Sequence, residues 1–113
     1  MTALHCDTWT AVCDFDDVQS ERAVAALVRG EQIAVVRTFD GTLHAVGNRD
    51  PFTGAYVLSR GIVGTRAERD VLTSPLHKQA FDLATGECLD DPSVRIPVFA
   101  VRRTGERVEV RGP

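Results

Sequence analysis

No apolar run in this chain goes far before a turn signal cuts it. That constrains the fold more than any other feature of the sequence. Trp9-Thr10-Ala11-Val12-Cys13 alternates in polarity and predicts a first strand. Phe39-Asp40-Gly41-Thr42 is a turn between two apolar runs, residues 33–36 and 43–46, which predicts a hairpin. Val71-Leu72-Thr73 and Ala80-Phe81-Asp82-Leu83 read as further short strands, and Thr85-Gly86 turns the second into Glu87-Cys88-Leu89. Ile96-Pro97-Val98-Phe99-Ala100-Val101 alternates, with Pro97 confining it to an edge or a bulge. Thr104-Gly105 then turns into Val108-Glu109-Val110. Many short strands joined by glycine turns predict an all-β chain, a small antiparallel sandwich or barrel.

Other stretches are less direct. Ser20 to Val28 is rich in good helix formers and offers Ser20 as an N-cap, yet a hairpin turning at Arg29-Gly30-Glu31 fits equally well. Asp14, Asp16 and Asp17 form an acidic trio without the glycine and distal glutamate of a calcium loop, so a solvated turn is expected there. Val57-Leu58 and Ile62-Val63 are short apolar pairs around Ser59-Arg60-Gly61, and residues 65–70 read as a charged, exposed tip.

With 113 residues, one domain spanning 1–113 is expected. The apolar fraction of 43% and charged fraction of 26% are those of a soluble globular chain. A net charge of −3 gives no support to nucleic-acid binding. No apolar run approaches a membrane span, and Met1-Thr2-Ala3-Leu4-His5-Cys6-Asp7 lacks the basic and apolar regions of a signal peptide, so a cytoplasmic protein is expected. Three cysteines, Cys6, Cys13 and Cys88, fit no zinc or cluster spacing. Cys13 and Cys88 are expected as small buried hydrophobes and Cys6 in a loose terminus.

The central stretch carries the chemistry. It opens Asn48-Arg49-Asp50-Pro51-Phe52-Thr53-Gly54 and closes Ser74-Pro75-Leu76-His77-Lys78-Gln79-Ala80-Phe81-Asp82, then Gly86. This resembles the paired loops of the Rieske iron–sulfur family, in which Cys-x-His and Cys-x-x-His supply two thiolates and two imidazoles. The resemblance equates those ligand positions with Asn48, Asp50, Ser74 and His77, of which only His77 is a ligand of the right type. Together with Val57-Leu58-Ser59-Arg60-Gly61-Ile62-Val63-Gly64 and Cys88-Leu89-Asp90-Asp91-Pro92, the chain is most similar to the small subunit of the assimilatory NAD(P)H-dependent nitrite reductase. The resemblance implies a Rieske-like domain, strands rather than helix over residues 21–29, and no cofactor on this chain. It also implies a large-subunit partner carrying FAD, siroheme and a [4Fe–4S] cluster for the six-electron reduction of nitrite to ammonium in nitrate assimilation.

Read by their own chemistry, Asn48, Asp50 and Ser74 are loop and cap residues able to bond nearby backbone. They are expected to tie the two loops together, with His77 reaching across to Asp50. Neutral amide and hydroxyl oxygens do not replace thiolates in a sulfide-bridged iron site, and Asp50 with His77 falls short of a closed metal site. Neither a catalytic residue nor a metal ligand is assigned. Pro51 and Pro75 stiffen the loops. Gly54, Gly61 and Gly64 are expected to take special backbone angles. Phe81 should anchor the second loop, and Gly86 should supply a left-handed position. Arg49, Phe52, Tyr56, Arg60 and Lys78 are the candidates for a docking surface, since arginine and aromatic side chains are favoured at interfaces. Two other readings compete with the subunit: a Rieske-type [2Fe–2S] ferredoxin of an oxygenase, against which the missing cysteines count, and a free-standing binding module on the same fold.

Overall fold

The computed structural model describes residues 8–111. Among the described residues nine strands form in chain order: β1 Trp9–Asp14, β2 Arg22–Val28, β3 Glu31–Arg37, β4 Leu43–Gly47, β5 Ile62–Arg66, β6 Arg69–Thr73, β7 Ala80–Asp82, β8 Val98–Thr104 and β9 Arg107–Arg111. Two single 3-10 turns, Phe15–Asp17 and Leu58–Arg60, are the only helical segments among the described residues. Every named strand pairing is antiparallel. A six-stranded sheet runs β1-β9-β8-β4-β3-β2, and it curls until β1 approaches β2. A three-stranded sheet, β5-β6-β7, packs on it.

The run Ile33-Ala34-Val35-Val36 shows why two sheets form. Successive strand residues face opposite sides, and all four side chains are fully buried. Ile33 and Val35 enter the core inside the curled sheet with Phe15, Val18, Val28, Ala45, Val108 and Val110. Ala34 and Val36 enter a second core between the sheets, with Val46, Leu58, Leu72, Phe81, Leu83 and Cys88. A strand apolar on both faces needs cover on both. The small sheet supplies the second cover and, with it, places the two loops at one end.

The ambiguous segment before β3 is a strand. Ala23, Val24, Ala25, Ala26 and Leu27 pair in unbroken register with Val36, Val35, Ala34, Ile33 and Gln32. Helix propensity yields here to non-local pairing. The turn falls at Arg29 and Gly30, both with positive φ.

Three expectations need correction. Pro97 does not place its strand at an edge: β8 lies between β9 and β4 and starts at the residue after the proline. The Pro97 carbonyl accepts the Gly47 amide at 2.9 Å, so the ring ends a ladder without breaking one. Neither Gly61 nor Gly64 takes a positive φ; a Cβ at Gly64 would meet open space, whereas Gly61 is required by contact, since a Cβ there would lie 2.3 Å from the Thr73 carbonyl oxygen. Cys13 is only half-buried, and burial with Asp17 and Asp14 beside it pushes its thiol pKa up. Cys88 is fully buried, and Cys6 lies outside the described residues.

The charged tip at 65–70 is exposed, yet it is paired almost to its end, with Arg66 facing Arg69 across a turn at Ala67 and Glu68. Two like charges face each other there, and each finds its own acid. Arg66 forks onto Asp90 at 2.9 and 3.2 Å, and Arg69 reaches Asp82 at 3.3 Å. The acidic trio caps the first 3-10 turn, where the Asp14 amide donates to Asp17 Oδ2 at 3.0 Å.

Candidate functional site

Both loops leave the same end of the molecule. The first follows β4, whose Gly47 pairs with Ile33 near the β2–β3 turn, and the second follows β6. Three of the four positions equated with cluster ligands are buried: Asn48, Asp50 and Ser74. Each is saturated by protein partners.

Asn48 is a hub. Its amide donates to the Gln32 carbonyl at 3.1 Å and its carbonyl accepts the Leu58 amide at 3.1 Å. Its side-chain Oδ1 accepts the Ser59 amide at 2.7 Å, while Nδ2 donates to Gln32 Oε1 at 3.3 Å and to the Tyr56 carbonyl at 3.4 Å. A single buried amide thus holds the start of β3, the end of the first loop and the 3-10 turn together. The turn at Leu58–Arg60 replaces the plain apolar pair expected from sequence, because Asn48 captures its backbone.

Asp50 closes its own loop and then reaches the other. Its carbonyl accepts the Gly54 amide at 2.7 Å and its amide donates to Ala55 at 2.8 Å. One carboxylate oxygen accepts the Phe52 amide at 2.8 Å, and the second accepts the Ser74 hydroxyl at 2.6 Å. Ser74 Oγ in turn accepts the Leu76 amide at 3.3 Å. The Ser74 backbone pairs with Gln79 and Lys78, closing the second loop into a compact turn. Asp50 is fully buried, so each of these donors offsets the cost of removing a carboxylate from water.

The loops are therefore tied together, as expected, but by Ser74 and not by His77. His77 is exposed and makes no hydrogen bond or ion pair among the described residues. The turn that starts at Ser74 throws residues 75–78 outward, and the short serine side chain reaches Asp50 first. Lys78 takes a left-handed conformation, φ 63°, within that turn. Phe81 is fully buried beneath the loops, and Phe52 leans on it with ring centroids 6.3 Å apart. Gly86 takes φ 82° where a Cβ would strike the Ile96 carbonyl.

A Rieske [2Fe–2S] group requires two thiolates and two imidazoles. The donor set here is an amide, a carboxylate, a hydroxyl and one exposed imidazole, and the first three are already spent on protein partners. Cys88 sits in the inter-sheet core and Cys13 lies on β1, which pairs with β9 at the opposite end. These residues do not fit the cluster. Among the described residues no group of three or more histidine, cysteine, aspartate or glutamate side chains could hold a metal ion.

All five docking candidates, Arg49, Phe52, Tyr56, Arg60 and Lys78, are exposed around these loops. The sequence reading missed Leu27 and Ile62, each 68% exposed, and Leu76 in the second loop. Leu27 was hidden by the helix-or-strand ambiguity; once β2 is paired, strand alternation turns it outward from the curled core. Also missed was His44 on β4, whose Nε2 lies 4.0 Å from Asp70 Oδ2 across the sheets. Burial pushes its pKa down, against the opposing pull of Asp70 and the Leu83 carbonyl.

A family model for the Rieske-like [2Fe-2S] domain matches residues 8–111. The nitrite reductase (NADH) small subunit of Escherichia coli K12 is 34% identical over 105 residues, covering 92% of this chain and 97% of that protein. A Mycobacterium tuberculosis crystal structure assigned as an NADH-dependent nitrite reductase small subunit superposes with a TM-score of 0.90 and 48% identity, over 94% of this chain and 96% of the other. A stretch of the nitrite reductase [NAD(P)H] large subunit of Klebsiella oxytoca is 32% identical over 108 residues, which is 96% of this chain and 11% of that protein.

Proposed function

We infer the function from the family: the chain belongs to the Rieske-like [2Fe-2S] domains and, within them, to the nitrite reductase small subunits. It acts as a subunit of an NAD(P)H nitrite reductase, an oxidoreductase, and binds the large subunit. The Klebsiella large subunit, which contains a stretch resembling this chain, supports that partnership. FAD, siroheme and the [4Fe–4S] cluster belong to the large subunit, and nitrite is reduced to ammonium there, in the cytoplasm, for nitrate assimilation. Residues 1–113 act as one domain.

This chain itself carries no redox centre. Its two loops are a docking device, and one observation carries the reading: the buried Ser74–Asp50 bond spans the place where a cluster would join the loops. A lineage that dropped the iron kept the surface. Arg49, Arg60 and Lys78 supply charge to that surface, and Phe52 and Tyr56 supply aromatic anchors.

Titration calorimetry against purified large subunit tests it. Tyr56→Ala should cost about 2 kcal/mol or more of binding if it is an anchor. Arg49→Glu should slow association in a salt-dependent way. Both variants should melt as the wild type does. Normal binding by both, with loss of binding from changes at Thr104-Gly105, would place the docking face at the opposite end.

A further inference from the structure

Resting on the reading that this chain binds the large subunit, we propose that the docking face extends beyond the loops onto the flank formed by β2 and β5. Leu27 and Ile62 are its aliphatic centre, and the partner surface it fits is apolar with a rim of carboxylates.

The geometry starts at Asn48. Leu27 pairs with Gln32, which hydrogen-bonds Asn48, and Asn48 bonds both Tyr56 and Ser59. Ile62 follows Ser59 by three residues, and its strand β5 lies beside β2. One buried amide therefore gathers Leu27, Tyr56 and Ile62 around a single edge of the molecule. A groove of about 290 Å³, lined by Ala25, Ala26, Leu27 and Gln32, opens there.

Both strands end their sheets. Natural edge strands are usually guarded by charge, proline or a bulge. Between Arg22 and Arg29, β2 has none of these: its residues are Ala23, Val24, Ala25, Ala26, Leu27 and Val28, in unbroken register. β1 comes close to β2 where the sheet curls, so what the flank leaves open is its outward face, where Leu27 on β2 and Ile62 on β5 stand in solvent; a paired aliphatic surface of that kind is one that a partner covers.

Charge identifies the partner. The chain is net −3, yet the cations bordering this face are Arg29, Arg49, Arg60 and Lys78. None of the four forms an ion pair among the described residues, whereas Arg66, Arg69, Arg102 and Arg103 elsewhere do. The acids at this end are Glu31, exposed, Asp50, which is buried and bonded to Ser74, and Asp90 at the base of the second loop, which is already taken by Arg66 and the Ala80 amide. Unpaired cations around an apolar centre call for carboxylates opposite.

The test is calorimetry and stopped-flow binding of the full chain with purified large subunit, with thermal melts alongside. Leu27→Asp and Ile62→Asp should each weaken binding about tenfold or more. Leu27→Ser and Ile62→Ser, milder changes at exposed sites, serve if an aspartate variant loses its fold. Phe39→Asp, at the β3–β4 turn of the opposite end, should bind as the wild type. Arg60→Glu should slow association, and the difference should shrink as salt is raised. Failure of the wild type to bind overturns the subunit reading itself. Wild-type binding with weakened loop variants but unaffected Leu27 and Ile62 variants overturns the flank alone. A rate indifferent to Arg60→Glu and to salt overturns the carboxylate rim.

Discussion

Ser74 gives its hydroxyl hydrogen to Asp50 over 2.6 Å, and through that bond two loops 24 residues apart in sequence become one surface. Both groups are buried, so the bond lies where solvent cannot replace it. A cluster-bearing relative would join its loops through iron; here a serine and an aspartate do so. Removing the hydroxyl leaves a buried carboxylate oxygen without its donor.

Ser74→Ala should therefore lower stability by about 1–3 kcal/mol and also weaken binding to the large subunit, because the loops lose their tie. Chemical denaturation and calorimetry check the two effects separately. His77→Ala should change stability little, since the exposed imidazole holds nothing. The reverse order of effects would restore the expected His77–Asp50 pairing.

Phe81→Ala should cost about 3–5 kcal/mol. The fully buried ring supports Phe52 from below, so any variant that still folds should also bind the large subunit more weakly. Denaturant titration measures the first effect and calorimetry the second.

Acid should destabilise the fold through His44. Burial lowers its pKa in the folded chain, against the opposing pull of Asp70, the Leu83 backbone, Asp82 and Asp40. The unfolded chain then binds the extra proton more readily, at about pH 6.5. The stability this group contributes is present above that pH and is lost as pH falls through the folded pKa. His44→Gln should flatten the stability–pH curve on the acid side. Denaturation midpoints measured between pH 5 and 8 would reveal an unchanged slope if His44 has no part in it.

Cys88→Ser places a hydroxyl in the inter-sheet core and should cost about 1–3 kcal/mol. Cys13→Ser, half-buried, should cost less. Cys6→Ser should leave assembly and holoenzyme activity unchanged. Thermal melts and activity assays with the large subunit check all three.

Local chemistry made much of this legible in advance. The Asp-Gly turn before β4, the left-handed Gly86 and the burial of Phe81 all follow from neighbours in sequence. What was not legible depends on distant partners. Residues 22–28 carry helix formers, and only pairing with β3 settles them as strand. The 3-10 turn at Leu58–Arg60 exists because Asn48, a distant residue in sequence, takes the Ser59 amide. The resemblance marked Asp50 and Ser74 as a pair of positions, but their direct bond depends on the tightness of the second loop. His44 looks like an ordinary strand residue until the small sheet brings Asp70 beside it.

The loops hold themselves together by protein bonds, and a chain tied in this way is expected to take up no iron–sulfur centre. Anaerobic reconstitution of the purified full chain with iron and sulfide, read by visible absorption and EPR, tests it most directly. A colourless protein without a cluster signal is expected. A stoichiometric [2Fe–2S] spectrum would contradict it and return the ferredoxin reading to the front.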